Sequence, residues 1–138
     1  MAAVEQRPTL MRALGRPGIA LAAAAAVALL ASFLPWASFL AITVYGIEGD
    51  GKVTAVASGL FVGALLLDRS GKRGARRAAI VGGGIVGGIH VLVAATDWTQ
   101  FAAVGIWLLL LAGLAMIAAA VWAAAAGAWN DPPSGDVA

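Results

Sequence analysis

Cysteine is absent from this 138-residue sequence, histidine occurs once, and charged residues make up only 12%. Without cysteine there is no disulfide framework, no lipid-modified cysteine, no thiolate chemistry and no sulfur-based metal site. One histidine, His90, cannot build a closed metal centre alone. No Ser, His and Asp set is credible as a nucleophilic triad either, because Glu48, Asp50 and Asp97 would have to reach His90 from a water interface. Neither enzymatic activity nor a cofactor is expected. Charge at half the usual level of about 25% cannot cover a globular surface.

What the chain has in excess is apolar. Hydrophobic residues reach 62% and mean hydropathy is +0.92, against about 45–50% apolar residues in a soluble domain. The length is that of one domain, and the long uncharged runs are segments whose solvent is lipid. A net charge of +2 and a pI of about 9.7 would suit nucleic acid if the basic residues were spread over a wetted face. Eight of the nine lysines and arginines instead cluster beside apolar segments. Membrane lipids, and no nucleic acid, are the expected partners.

Four spans are predicted, at about residues 18–36, 53–67, 78–96 and 101–126. The first is approached through Arg7, Arg12, Arg16 and Pro17, and proline suits a first helical turn because its missing N–H would be unpaired there anyway. A basic start and an apolar run also describe a signal peptide. No small-x-small cleavage pattern follows promptly, however, and Leu34-Pro35-Trp36 reads as an interfacial exit. The second span, at about 22 Å, is short for a hydrocarbon core of about 30 Å. Lys52 and Arg69 can snorkel, and the bilayer can thin.

Charge sets the orientation. Arg7, Arg12 and Arg16 precede span one, and Arg69, Lys72, Arg73, Arg76 and Arg77 join spans two and three, whereas the other side carries only Lys52. Both termini are therefore expected in the cytoplasm of a bacterial cell, in a multi-pass plasma-membrane protein whose basic loops meet lipid headgroups. Trp36 and Trp98 would form the outer aromatic belt, and Trp122 and Trp129 the inner one. Residues 127–138 read as a disordered polar tail. In the outer loop, Ile42-Thr43-Val44-Tyr45 favours extended structure and the following Gly46 to Gly51 is turn chemistry, which together predict a short β-hairpin-like flap. The fold class is thus an all-α membrane protein, a four-helix transmembrane bundle with that outer loop.

Gly82, Gly84 and Gly87 happen to fit a dinucleotide-binding fingerprint, but its strand and wetted turn are missing. Gly83 with Gly87, and Gly84 with Gly88, read better as small-xxx-small pairs that admit a neighbouring helix; Gly59 and Gly63 repeat the pattern. Whether these pairs pack within one chain or between copies is open. His90 is the one ionisable residue well inside a predicted span. At 100° per residue, Gly83, Gly87, His90 and Ala94 lie within about 60° of one another, so the imidazole shares the packing face. Its depth of about 10 Å and the roughly 8 Å depth of Ser58 make Ser58, or Ser32, its hydrogen-bond partner. A neutral interhelical bond is the plain reading, and a proton relay or ligand contact the alternative. Glu48 and Asp50 could hold a cation, although turn solvation explains them as well.

The Leu34-Pro35-Trp36 exit, the Gly46-Ile47-Glu48-Gly49-Asp50-Gly51 loop, the arginine-rich connection and Val104-Gly105-Ile106-Trp107 opening span four carry a resemblance to small four-span actinobacterial membrane proteins of uncharacterised role. The alanine, glycine, valine and arginine bias suits a GC-rich genome, which includes those bacteria and their phages. The resemblance implies architecture only. Three functional classes follow. The favoured one is a non-catalytic accessory or structural component, in a homo-oligomer or a larger membrane complex, associating through its glycine faces. The second is an oligomeric small transporter or channel, although no span contains an acid of the kind proton-coupled export relies on. The third is a phage-exclusion, immunity or lysis protein.

Overall fold

A computed structural model describes residues 9–70, 72–98 and 102–130. Arg7, the first residue of the expected fourth span and the tail from residue 131 onward lie outside them. A single turn, α1 (Leu10–Ala13), leads through Gly15, at φ +67°, into α2 (Arg16–Ala31), with Pro17 in its first turn. The helix stops short of Trp36. Pro35 has no N–H to continue it and disfavours helical backbone at Leu34, so the chain becomes extended there.

Strand β1 (Pro35–Phe39) pairs antiparallel with β2 (Ile42–Tyr45), Phe39 opposite Ile42 and Ala37 opposite Val44. The register slips between Pro35 and Ala37. Trp36 is the residue at that bulge, and a bulge re-aims the side chain it carries. A 3₁₀ turn (Gly46–Glu48) follows, closed by the Glu48 carboxylate accepting the Tyr45 N–H at 3.0 Å. Then come α3 (Gly51–Leu67), α4 (Arg73–Thr96) and α5 (Val104–Ala123), the last running into a π-helical turn (Ala124–Ala128) that Gly127 ends at φ +81°. The described chain is mostly helical, with a small two-stranded sheet.

Two helices are long and apolar enough to cross a membrane: Arg73–Thr96, and Val104 continued to Ala128. At 16 and 17 residues, α2 and α3 are apolar but shorter, about 24 and 26 Å long. α4 packs most extensively on α5, α5 also on α2, α2 on α3, and α3 more lightly on α4. Successive helices run in opposite directions. One end of the molecule therefore collects α1, the end of α3, the start of α4 and the end of α5, and the other collects the hairpin, the 3₁₀ turn, the end of α4 and the start of α5.

Packing between the helices divides along their length. Leu21, Phe61, Leu65, Ile80 and Met116 fill the half nearer the basic end, sealed by Leu10 and Leu14. Ala28, Ala31, Trp36, Ala94, Ile106 and Leu109 fill the hairpin half. The outside is also apolar. Leu60, Leu67, Leu92 and Val121 are 64–80% exposed, and only 33% and 44% of the two long helices' apolar windows are covered by the rest of the chain. A water-soluble monomer rarely exposes a contiguous apolar patch beyond a few hundred Å².

Candidate functional site

The inward face of α4 is Ala79, Ile80, Gly83, Gly87, His90 and Ala94. Gly87 meets α5 at a reciprocal crossing with Gly113: a Cβ on Gly87 would lie 2.7 Å from the Gly113 carbonyl oxygen, and one on Gly113 would lie 2.8 Å from that of Gly87. Each backbone occupies the space the other's side chain would need. Gly83 meets Leu21 of α2 at 2.7 Å and Phe61 of α3 at 3.3 Å on the same construction. A Cβ on Gly59, Gly63, Gly84 or Gly88 would meet nothing within 4 Å among the described residues, and the four glycines are half-buried. Gly82, Gly84 and Gly87 lie inside one continuous helix, with no turn to cradle a phosphate.

Gly113 was not legible as a packing residue. The positions four residues away on either side are Leu109 and Ile117, so no small-xxx-small pair marks it. The only signal is a glycine alone in a long apolar run.

Four polar side chains, Ser32, Thr54, Ser58 and His90, are completely buried between α2, α3 and α4. Thr54 and Ser58 are one helical turn apart, which puts both on the inward face of α3. Ser58 Oγ lies 3.0 Å from His90 Nε2. Ser32 is not part of that pair: its hydroxyl lies 2.7 Å from Thr54 Oγ1 and 3.0 Å from the Ala28 carbonyl, while Thr54 Oγ1 also reaches the Gly51 carbonyl at 3.0 Å. The two hydroxyls thus tie α2 to α3, with two protons shared among three acceptor contacts. Thr54 was missed at the sequence level because a threonine one turn into an apolar helix is indistinguishable from one bonded to its own backbone.

Among the described residues His90 Nδ1 is buried without a hydrogen-bond partner. An unpaired acceptor nitrogen there is less costly than an unpaired N–H, which places the proton on Nε2, donating to Ser58 Oγ. The pair has the separation of a nucleophile and its base. Yet neither residue has any exposed surface, and no carboxylate orients Nδ1. What the arrangement does is tie α3 to α4.

At the hairpin end, Trp36 is a buried side chain and not part of a lipid-facing belt: it is 5% exposed and its indole N–H donates to the Ala31 carbonyl at 3.0 Å. It sits between two glycines. A Cβ on Gly105 would fall 2.5 Å from the indole Cδ1, and a Cβ on Gly46 would overlap the same ring. The Ala103 N–H donates to the Trp36 carbonyl at 2.8 Å, so the start of α5 is stitched to β1. Trp98 does lie exposed, edge-on to Trp107 at 4.3 Å between ring centroids.

Above Trp36 is a partly open cavity of about 310 Å³, lined by Trp36, Tyr45, Asp50, Thr96, Asp97 and Ile106 among others. Glu48 is turned to the hairpin backbone, so Asp50 shares this space with Asp97 and not with Glu48. Burial holds the Asp97 carboxyl above its usual pKa, and the Asp50 charge adds to the effect. Among the described residues no three His, Asp or Glu side chains converge as metal ligands.

The opposite end gathers Arg12, Arg16, Arg69, Lys72, Arg73, Arg76 and Arg77. Arg77 Nε donates to the Trp129 carbonyl at 3.1 Å and its guanidinium lies 5.2 Å from the Trp129 ring centroid, which fastens the end of the π-helical turn after α5 to α4. The Leu10 N–H donates to the Asp68 carbonyl at 2.7 Å, and the Asp68 carboxylate accepts the Ser70 N–H, also at 2.7 Å. That bond, with the Ser70 hydroxyl and then the Lys72 charge, lowers the Asp68 pKa.

Compared with known proteins, the chain matches no family model, no curated protein and no solved structure.

Proposed function

We propose that this chain is a non-catalytic, multi-pass integral membrane protein that serves as an accessory or structural component, in a homo-oligomer or a larger membrane complex. In this reading α2, α3, α4 and α5 form a four-helix transmembrane bundle, with both termini in the cytoplasm and the hairpin on the outer surface. The observation that carries it is the contrast among its glycines. Gly83 and Gly87 are consumed inside the chain, while Gly59 with Gly63, and Gly84 with Gly88, stand open on apolar surfaces. Open small-residue faces on lipid-exposed helices are where another helix can approach closely. The two shorter helices fit a bilayer that thins around them. The seven described basic residues at one end suit the cytoplasmic side.

Mild-detergent purification followed by native mass determination tests association directly. The expected result is a stoichiometric homo-oligomer or a co-purifying membrane partner, weakened by Gly63→Leu with the monomer still folded. A monomer without a partner, unaffected by Gly63→Leu, would refute the reading. Orientation has a separate test: a reporter active only outside the cytoplasm, fused after Ala138, should stay silent.

A further inference from the structure

We infer that the cavity at the hairpin end is a binding site for a small organic monocation, a protonated amine carrying a compact apolar body. The inference does not depend on how the helices associate. At about 310 Å³ the space is at the small end of ligand pockets, which begin at about 300 Å³. Its walls combine two unlike surfaces. Trp36, Val44 and Ile106 are apolar, and Asp50 and Asp97 place two carboxylates on the same space.

Neither carboxylate has a hydrogen-bond or ion-pair partner among the described residues. Among the described residues the one basic side chain at this end, Lys52, borders a different surface of α3 with Val53, Val56 and Leu60 and does not line the cavity. Burial is the larger cause of the upward displacement of the Asp97 carboxyl, and repulsion from the exposed Asp50 carboxylate adds to it. A bound cation removes that repulsion.

The walls decide which cation. Calcium takes about six to eight oxygen ligands and magnesium a full octahedron. Two carboxylates and a Thr96 hydroxyl against apolar walls leave a bare metal ion under-coordinated. An alkylammonium instead presents N–H donors to the carboxylates and methylene groups to Trp36 and Ile106, and the Tyr45 ring offers an aromatic face to its charge.

The test is isothermal titration of butylammonium chloride into the full chain in zwitterionic-lipid nanodiscs, with empty nanodiscs subtracted and calcium chloride run in parallel. Saturable binding is expected for butylammonium. It should weaken about tenfold or more in Asp50→Asn and in Asp97→Asn, each of which removes a charged partner, and persist in Lys52→Ala. Absent saturation, equal affinity in all variants, or saturable binding of calcium alone would overturn the proposal. Should either asparagine variant fail to fold, the parent protein still decides. Asp50 and Tyr45 are the other titratable groups on the cavity, and butylammonium, like a lysine side chain, stays protonated from about pH 7 to about pH 4. Affinity should therefore fall as pH is lowered through the raised value of the Asp97 carboxyl.

Discussion

Gly87 on α4 and Gly63 on α3 each complete the same small-xxx-small spacing, yet Gly87 has another backbone in the place of its side chain and Gly63 faces open space. α4 repeats the contrast on its own, since Gly83 and Gly87 point inward while Gly84 and Gly88, one residue on, do not. One residue is about 100° of rotation. The spacing therefore states that a helix can be approached closely, and the rotation about its axis decides from which side. A glycine without the spacing can matter as much. Gly113 accepts the Gly87 carbonyl with no small residue four positions away.

The largest expected effect breaks the contrast at its packed side. Gly87→Leu or Gly113→Leu forces α4 and α5 apart at their crossing, and because both neighbours are backbone the strain cannot be relieved by a rotamer change. We expect about 3 kcal/mol of destabilisation or loss of folded protein, read as thermal unfolding in detergent. Gly59→Leu should change the unfolding of the single chain by no more than about 0.5 kcal/mol. Equal effects at the two sites would mean that the rotation is wrong.

A smaller effect separates the two polar ties. Ser58→Ala removes the hydroxyl partner of His90 Nε2, and should cost about 1–2 kcal/mol. Ser32→Ala leaves Thr54 its bond to the Gly51 carbonyl and should cost less. A double-mutant cycle between Ser58→Ala and His90→Leu that gave no coupling would show that the 3.0 Å contact contributes nothing to stability.

The smallest effect compares the acids at the two ends. Asp97 is held above its usual pKa of 3.8, so the folded state takes up its proton more readily than the unfolded one. Its charge therefore destabilises at neutral pH, and that penalty is relieved as pH falls through the raised value. Asp97→Asn should raise the unfolding temperature slightly at neutral pH, and the gain should vanish once the wild-type carboxyl is protonated. Asp68 runs the other way. Its lowered pKa gives stability that is present above 3.8 and lost as pH falls through the folded value, so Asp68→Asn should lower the unfolding temperature at neutral pH and have no effect in strong acid. Matching signs for the two variants would contradict one of the two environments.

Much of the fold was legible because its signals are local. Uninterrupted apolar runs located the long helices, and Ile42 to Tyr45 announced a strand through β-branched and aromatic residues. Pro35 carried the information that α2 must stop before Trp36, but the tryptophan read as an interfacial anchor. Its burial follows from the bulge at Trp36 and from Gly46 and Gly105 lying on the ring, and those two glycines are separated by 59 positions of chain. The Asp50 and Asp97 pairing was hidden for the same reason, since Asp50 precedes α3 and Asp97 follows α4. Ser58 and His90 were legible together because depth counted from a shared end is a local quantity for each helix.

Composition and spacing alone establish an apolar helical chain with most of its basic residues near one end, and Glu48, Asp50, Asp97 and the hairpin near the other. Partnership was a matter for the third dimension. In a soluble helix the polar face marks the outside, but here the inward and outward faces are about equally apolar, so hydropathy cannot say which way a residue points. Only the packing of α2 against α5, and of Gly87 against Gly113, fixes the rotation of each helix. That rotation buries His90 on Ser58, clamps Trp36, and leaves Gly59, Gly63, Gly84 and Gly88 uncovered.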